Sequence, residues 1–236
     1  MSNDITSSTA LVTGANKGIG KEIARQLLAA GLTVYVGSRD AERGLRAVEE
    51  LGAGARPLAI DVTDGKSIAA AAEQVEHLDI LVNNAGISAQ GTDVTEADVD
   101  EFRRVYETNV FGVVAVTNAF LPLLRRSPTP RIVNISSETG SIAFSASRDS
   151  VAFAAYRSSK TALNELTMLY SLALAEVGFK VNAVAPGLRR TELNERAKSA
   201  AGDPAEGAAG AVRLALLPDD GPTGGFFQWD GSKLDW

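Results

Sequence analysis

Tyr156 and Lys160 stand four residues apart in a stretch whose apolar spacing predicts a helix over residues 156–177. On a helix this spacing puts both side chains on one face, where an ammonium can approach a phenol. A free tyrosine titrates near ~10, too high to cycle easily at neutral pH, and a neighbouring cation favours the phenolate. The pair is therefore a candidate proton donor and acceptor, although the spacing alone arises by chance too easily to decide anything. Ser137 adds a second group. It follows a predicted strand over 131–135, so its hydroxyl would stand at the strand's carboxyl end and could donate to a carbonyl oxygen. A serine there also makes ordinary turns.

A second constellation lies near the N-terminus, where residues 13–20 read Thr-Gly-Ala-Asn-Lys-Gly-Ile-Gly between an apolar run over 10–12 and a helical pattern over 19–30. Backbone amides and a helix N-terminus at such a turn can meet a pyrophosphate. Gly14, Asn16, Lys17, Gly18, Ile19 and Gly20 are the residues so placed. The glycine spacing is wider than the usual dinucleotide fingerprint, and a tight turn without a ligand is the plain alternative. Further on, Ser38 and Arg39 end the second strand at the place where NAD enzymes set a carboxylate against the ribose. A hydroxyl and a guanidinium suit a 2′-phosphate, and Lys17 can add a second positive charge, so NADPH is favoured over NADH. Asp40 dissents: it could take the ribose, or simply cap the next helix.

These groups need a frame. Short apolar strands at 10–12, 33–37, 57–60, 79–82, 131–135 and 180–185 alternate with helical patterns at 19–30, 41–51, 66–76, 99–126 and 156–177. That alternation predicts an α/β fold, a single doubly wound parallel sheet of Rossmann type with helices on both faces, in one domain of 236 residues. Ligands then bind at the carboxyl ends of the strands. Two stretches, 138–155 and 188–210, read as loops that could bind substrate, the second as a mobile lid.

Composition narrows the chemistry. The chain has no cysteine, and His77 is its one histidine, which removes disulfides, thiolate metal sites and most zinc enzymes. His77 reads as a surface or helix-end residue, and no metal site is expected. A formal charge of −6 argues against nucleic acid, and the Arg125-Arg126 and Arg189-Arg190 pairs are expected to be solvated. The first eight residues lack a signal-peptide pattern and no apolar run suggests a membrane span, so a cytoplasmic location is expected.

Taken in order, these motifs resemble the short-chain dehydrogenase/reductase family over nearly the whole chain, from Leu11 to Gly231. The resemblance implies a tetrad of Asn109, Ser137, Tyr156 and Lys160, with Asn109 holding a water that links the lysine to solvent. From the residues alone, Asn109 could as well cap or kink a helix. It also implies that Asp61 and Val62 meet the adenine, that Asn83, Ala85 and Gly86 pack the cofactor within an Asn-Asn-Ala-Gly signature, and that Pro186, Gly187 and Thr191 lie against the nicotinamide. Residues 223–231 match the family's terminal strand. The Asn16-Lys17-Gly18 turn with Ser38-Arg39 resembles the NADPH-dependent carbonyl reductase branch. That implies reduction of a small-molecule ketone or aldehyde by a homodimer or homotetramer, with no nucleic-acid or membrane partner. Oxidation of an alcohol by the same atoms and a non-catalytic dinucleotide-binding regulator are the alternatives. The 19 positions from Ser137 to Tyr156 imply a small insertion whose Phe144 and Phe153 either line the substrate mouth or pack the loop down.

Overall fold

In the computed structural model, which describes residues 8–147 and 151–236, seven strands form one sheet. They are β1 (Thr9–Val12), β2 (Thr33–Ser38), β3 (Ala55–Ala59), β4 (Ile80–Asn83), β5 (Arg131–Ile135), β6 (Lys180–Ala185) and β7 (Phe226–Gln228). The order is β3-β2-β1-β4-β5-β6-β7 and every pairing is parallel. Successive strand residues face opposite sides, and here both sides are apolar. Ala10, Val12, Val82, Val133 and Val184 join one core cluster, while Leu11, Leu81, Ile132 and Val181 join the other. Helices α1 (Gly18–Ala29), α2 (Ala41–Leu51) and α9 (Pro204–Ala215) cover the first face. On the second lie α3 (Gly65–Glu73), α5 (Gly112–Leu124) and the C-terminal part of α7 (Ala154–Ala173). The doubly wound architecture expected from the alternation is the one observed.

The edges differ in character. β3 is mostly exposed and carries Pro57, which has no amide hydrogen to offer a neighbour. β7 is covered by the C-terminal tail: Leu234 N–H donates to the Phe226 carbonyl at 2.8 Å, and Trp236 stacks on Phe226 with ring centroids 5.4 Å apart.

Four expectations change. The single helix over 99–126 is broken into α4 (Val99–Tyr106), a π-helical turn at Glu107–Phe111, and α5. The run Val99–Leu124 is also long and apolar enough to cross a membrane by length and composition, which the sequence reading overlooked. Here it packs within the protein, with Val105, Val116, Phe120 and Leu124 fully buried. The stretch 188–210 is not one loop. It holds α8 (Glu195–Lys198) and the first half of α9, capped by Asp203, whose carboxylate accepts from the Ala205 amide at 2.9 Å. Its buried face consists of Gly207, Ala208, Gly210 and Ala211, so apolar periodicity is faint even though the helix packs closely on α1. In the stretch 138–155, a 3-10 turn at Glu138–Gly140 and α6 (Ile142–Ala146) precede α7; residues 148–150 lie outside the described residues.

A methyl group at Gly210 would stand 2.7 Å from the Trp229 Cα and 2.9 Å from a Val184 methyl. Alanine normally strengthens a helix by about 1 kcal/mol over glycine, but overpacking against backbone costs about 1–3 kcal/mol. Gly210→Ala is therefore expected to lower the unfolding free energy by up to about 2 kcal/mol, read as a lower urea midpoint.

Candidate active site

At the carboxyl ends of the central strands lies a cleft of about 430 Å³, bordered by Ile19, Ser137, Phe153, Tyr156, Gly187 and Leu193 among others. Tyr156 and Lys160 occupy successive turns of α7, and the Lys160 Nζ lies 5.6 Å from the centre of the tyrosine ring. Lys160 is almost fully buried and Nζ donates to the Ile135 carbonyl at 2.8 Å, at the end of β5. Burial disfavours its charged form and lowers its pKa to about 8. Tyr156 departs from the expected lowering: burial pushes the phenol's pKa up, and a hydrogen bond with Ser137 pulls it only part of the way back. The ammonium is turned toward the Ile135 carbonyl, and the partial lowering that the phenol does receive comes from Ser137.

Asn109 lies in the π-helical turn and is fully buried. Its amide nitrogen donates to the Ile87 carbonyl (2.9 Å) and to Ser159 Oγ (3.1 Å), and its oxygen accepts from Ile87 N–H (2.9 Å). Ser159 donates in turn to the Tyr156 carbonyl at 2.7 Å. Asn109 thus ties the segment after β4 to the first turn of α7, while its oxygen and Lys160 Nζ both border Gly86, at 3.3 and 3.6 Å from where a Cβ would stand. Ser159, which the sequence reading passed over, is a buried serine inside a helix next to the lysine; that mismatch of polarity and position was its only signal. Gly140 was missed as well: a Cβ there would lie 2.8 Å from the backbone of Lys160, so the turn after Ser137 can rest on α7 only because it has none. Phe153, the residue before α7, is left-handed (φ 61°) and its ring lies against Gly91. Both Phe144 and Phe153 line the cleft.

The glycine turn has the backbone its residues require. Gly14 and Gly18 have φ of 63° and 56°, and no side chain caps the N-terminus of α1, so its first amides are left without side-chain acceptors. Thr13 and Asn84 bind the turn to the end of β4. The Thr13 hydroxyl accepts from the amides of Asn84 and Ala85, both at 3.0 Å, and Asn84 Nδ2 donates to the Thr13 carbonyl at 2.8 Å. Asn16 and Ile19 lie half-buried on the turn, and Thr191 reaches over it, its methyl 3.4 Å from where a Cβ of Gly18 would stand. Asn83 differs from the expectation of a cofactor contact through its side chain: that amide is buried, donating to Asn134 (2.9 Å) and Thr117 (3.1 Å), and Asn134 donates to Thr167 (2.9 Å). This ladder joins β4, β5, α5 and α7 beneath the cleft.

At the end of β2, the Ser38 hydroxyl donates to the Asp40 carbonyl at 2.7 Å and is buried, while Arg39 is exposed. Asp40 takes the capping role, accepting from the Arg43 amide at 3.0 Å, a bond that holds its pKa below the ordinary carboxylate value. Burial of Asp61 is outweighed by its hydrogen bonds from Thr63 and by the nearby Arg39 charge, and its pKa is lowered. The Val62 carbonyl packs at Gly112 of α5. Lys17, exposed, pairs with Glu192 at 2.5 Å. The uncapped helix end, the two exposed cations and the cleft fit a phosphorylated dinucleotide. His77 pairs with Asp79 at 2.9 Å, at the opposite, amino-terminal end of β4. Arg189, expected to be solvated, is instead buried with its guanidinium 4.4 Å above the ring of Trp229.

Because the fold lowers the Lys160 pKa from 10.5 to about 8, its charged form is the disfavoured one. The cost is fully present below pH 8, and it disappears as the pH rises from about 8 to that of the unfolded lysine. Lys160→Met is expected to be more stable than the parent by up to about 3 kcal/mol near pH 7, with the difference shrinking toward pH 10. Urea unfolding of both proteins at several pH values would check this.

Three comparisons bear on this arrangement. The family model described as short chain dehydrogenase matches residues 8–202. Salutaridine reductase of Papaver bracteatum is 33% identical, covering 95% of this chain and 94% of the relative. That alignment spans 300 positions against a chain of 236, so the plant protein carries segments absent here. (−)-Isopiperitenone reductase of Mentha piperita is 34% identical, covering 94% and 96%. Among solved structures, NADPH-bound carbonyl reductase from chicken fatty liver is 28% identical, covers 98% of this chain and 99% of its own, and superposes with a TM-score of 0.84. With its fold, its motifs and these relatives in agreement, the chain belongs to the short-chain dehydrogenase/reductase family of oxidoreductases.

Proposed function

We propose that the protein reduces a ketone or aldehyde to an alcohol with NADPH, using Tyr156 as the proton donor. The observation that carries this reading is that Ser137 and Tyr156 line the same cleft, with Lys160 one turn along the helix that bears the tyrosine. When bound, NADPH supplies the hydride. The chain's own groups manage the oxygen: negative charge grows there as the carbonyl carbon is reduced, and the Ser137 and Tyr156 hydroxyls are the donors that can meet it. Tyr156 then gives up its proton as general acid. A raised phenol pKa suits this direction, because the tyrosine is fully protonated at neutral pH. Lys160, with a pKa of about 8, is still largely charged there and can offset the phenolate left behind. Asn109 spends both amide hydrogens on Ile87 and Ser159, so through its side chain it holds the start of α7 in place.

For the cofactor, Arg39 and Lys17 are assigned to the 2′-phosphate, Gly14 to Gly20 and the start of α1 to the pyrophosphate, and Asp61 and Val62 to the adenine. Ala85 and Gly86 pack against it, and Pro186, Gly187 and Thr191 border the nicotinamide. The NADPH-bound carbonyl reductase among the relatives supports this assignment.

Tyr156→Phe is expected to lower the rate of NADPH oxidation with a reducible ketone about a hundredfold to ten-thousandfold while leaving NADPH affinity within about threefold. Unchanged turnover would overturn the mechanism. Replacing Arg39 by alanine removes a charge-assisted contact of about 1.5–3 kcal/mol, so the Kd for NADPH should rise about tenfold or more with that for NADH nearly unchanged. A parent protein that binds NADH more tightly than NADPH would refute the cofactor assignment.

A further inference from the structure

Among the described residues, Arg189 is the one arginine that borders the cleft with its side chain about nine-tenths buried. It turns inward from the segment after β6 and is threaded between glycines. A Cβ at Gly207 would stand 2.8 Å from its Cγ, one at Gly202 would stand 2.6 Å from its NH1, and one at Gly187 would stand 3.6 Å from its Cζ and NH2. The Trp229 ring closes the remaining side at 4.4 Å. Its charge is poorly matched. Nε and NH2 are buried without a hydrogen-bond partner among the described residues, and the nearest carboxylate, the half-exposed Glu206, is 3.9 Å from NH1. A cation held away from water keeps a longer-reaching field than an exposed one, which solvent and salt screen.

The guanidinium lies beside Gly187, and both residues border the cleft. We propose that Arg189 biases this enzyme toward carbonyl reduction by placing a buried positive charge beside the nicotinamide-facing segment. This rests on the assignment of Pro186–Gly187 to the nicotinamide. The two forms of the cofactor differ by one unit of positive charge on the nicotinamide ring, carried by NADP+ and absent from NADPH. A fixed cation nearby raises the free energy of the oxidised form and leaves the reduced form almost untouched. The consequence is preferential binding of NADPH and easier departure of NADP+ after turnover.

The test is equilibrium binding of NADP+ and NADPH, each titrated calorimetrically in the absence of substrate. Arg189→Met keeps the packed stem and removes the charge, and Arg189→Lys keeps the charge. The ratio Kd(NADP+)/Kd(NADPH) is expected to fall about tenfold in Arg189→Met, chiefly through tighter NADP+, and to stay within about twofold of the parent in Arg189→Lys. Glu206→Gln removes the nearest opposing charge from an exposed position on α9, where folding is undisturbed, and should raise the ratio about twofold. An unchanged ratio in Arg189→Met would overturn the proposal, whether both affinities hold or both weaken equally, the latter being the sign of a purely structural strut. Should Arg189→Met fail to fold, the Glu206→Gln ratio decides alone, a rise supporting the proposal and no rise overturning it. Failure of the parent protein to bind either form would instead bring down the cofactor assignment itself, which separates the two outcomes.

Discussion

An ammonium group taken out of water is costly, and much of the polar architecture here is arranged around one. Lys160 cannot lie where it does unless something receives its proton donors, and the Ile135 carbonyl at the end of β5 is that receiver. The strand end must therefore be held still. The ladder from Thr117 through Asn83 and Asn134 to Thr167 ties β4 and β5 to α5 and α7, directly below the buried lysine. Gly140 and Gly86, both lacking a Cβ, let the neighbouring segments close over it. The π-helical turn has a similar rationale. An extra residue in the helical register between α4 and α5 carries Asn109, whose side chain then spans from Ile87 to Ser159.

The same logic explains the division of the sheet. Its middle is apolar on both faces, as a parallel sheet covered by helices must be. Apart from Asn182 within β6, the buried polar groups gather toward the strand ends, and the two ends serve different purposes. At the amino-terminal side, Asp79 gathers the Thr9 amide, Ser127 and His77, and buried Arg131 donates to the Leu217 carbonyl and Asp219. These contacts close the bottom of the fold. At the carboxyl side, Thr13 and Asn84 stitch the glycine turn to the end of β4, and the groups left over face the cleft.

How far this could be read beforehand depends on whether a feature speaks through spacing or through contact. Strand alternation and the glycine turn are local patterns, and they led to the correct sheet. Tyr156, Lys160 and Ser137 could be singled out only in company with the glycine turn and the other ordered motifs, since neither the spacing of the pair nor a serine after a strand is unusual alone. The N-terminal half of α9 could not be recognised by apolar rhythm, because a helix that packs backbone-close uses glycine and alanine; the Asp203-Pro204 start was the available clue. Arg189 was misjudged for a different reason. An arginine beside another arginine in a polar stretch looks solvated, and only Gly187, Gly202, Gly207 and Trp229, brought together by folding, make the space that buries it. The break in the helix over 99–126 likewise follows from what Asn109 meets in space, on segments distant in sequence.

The two sheet edges carry one more consequence. β3 has Pro57 and an exposed, charged Arg56 where an incoming strand would look for donors, and β7 has already spent its outer edge on the chain's own tail. Both ends of the sheet thus discourage extension by another molecule. Growth of the sheet from copy to copy, the first step toward aggregation, is opposed at each end by a different device: a missing amide hydrogen on one side and an occupied one on the other.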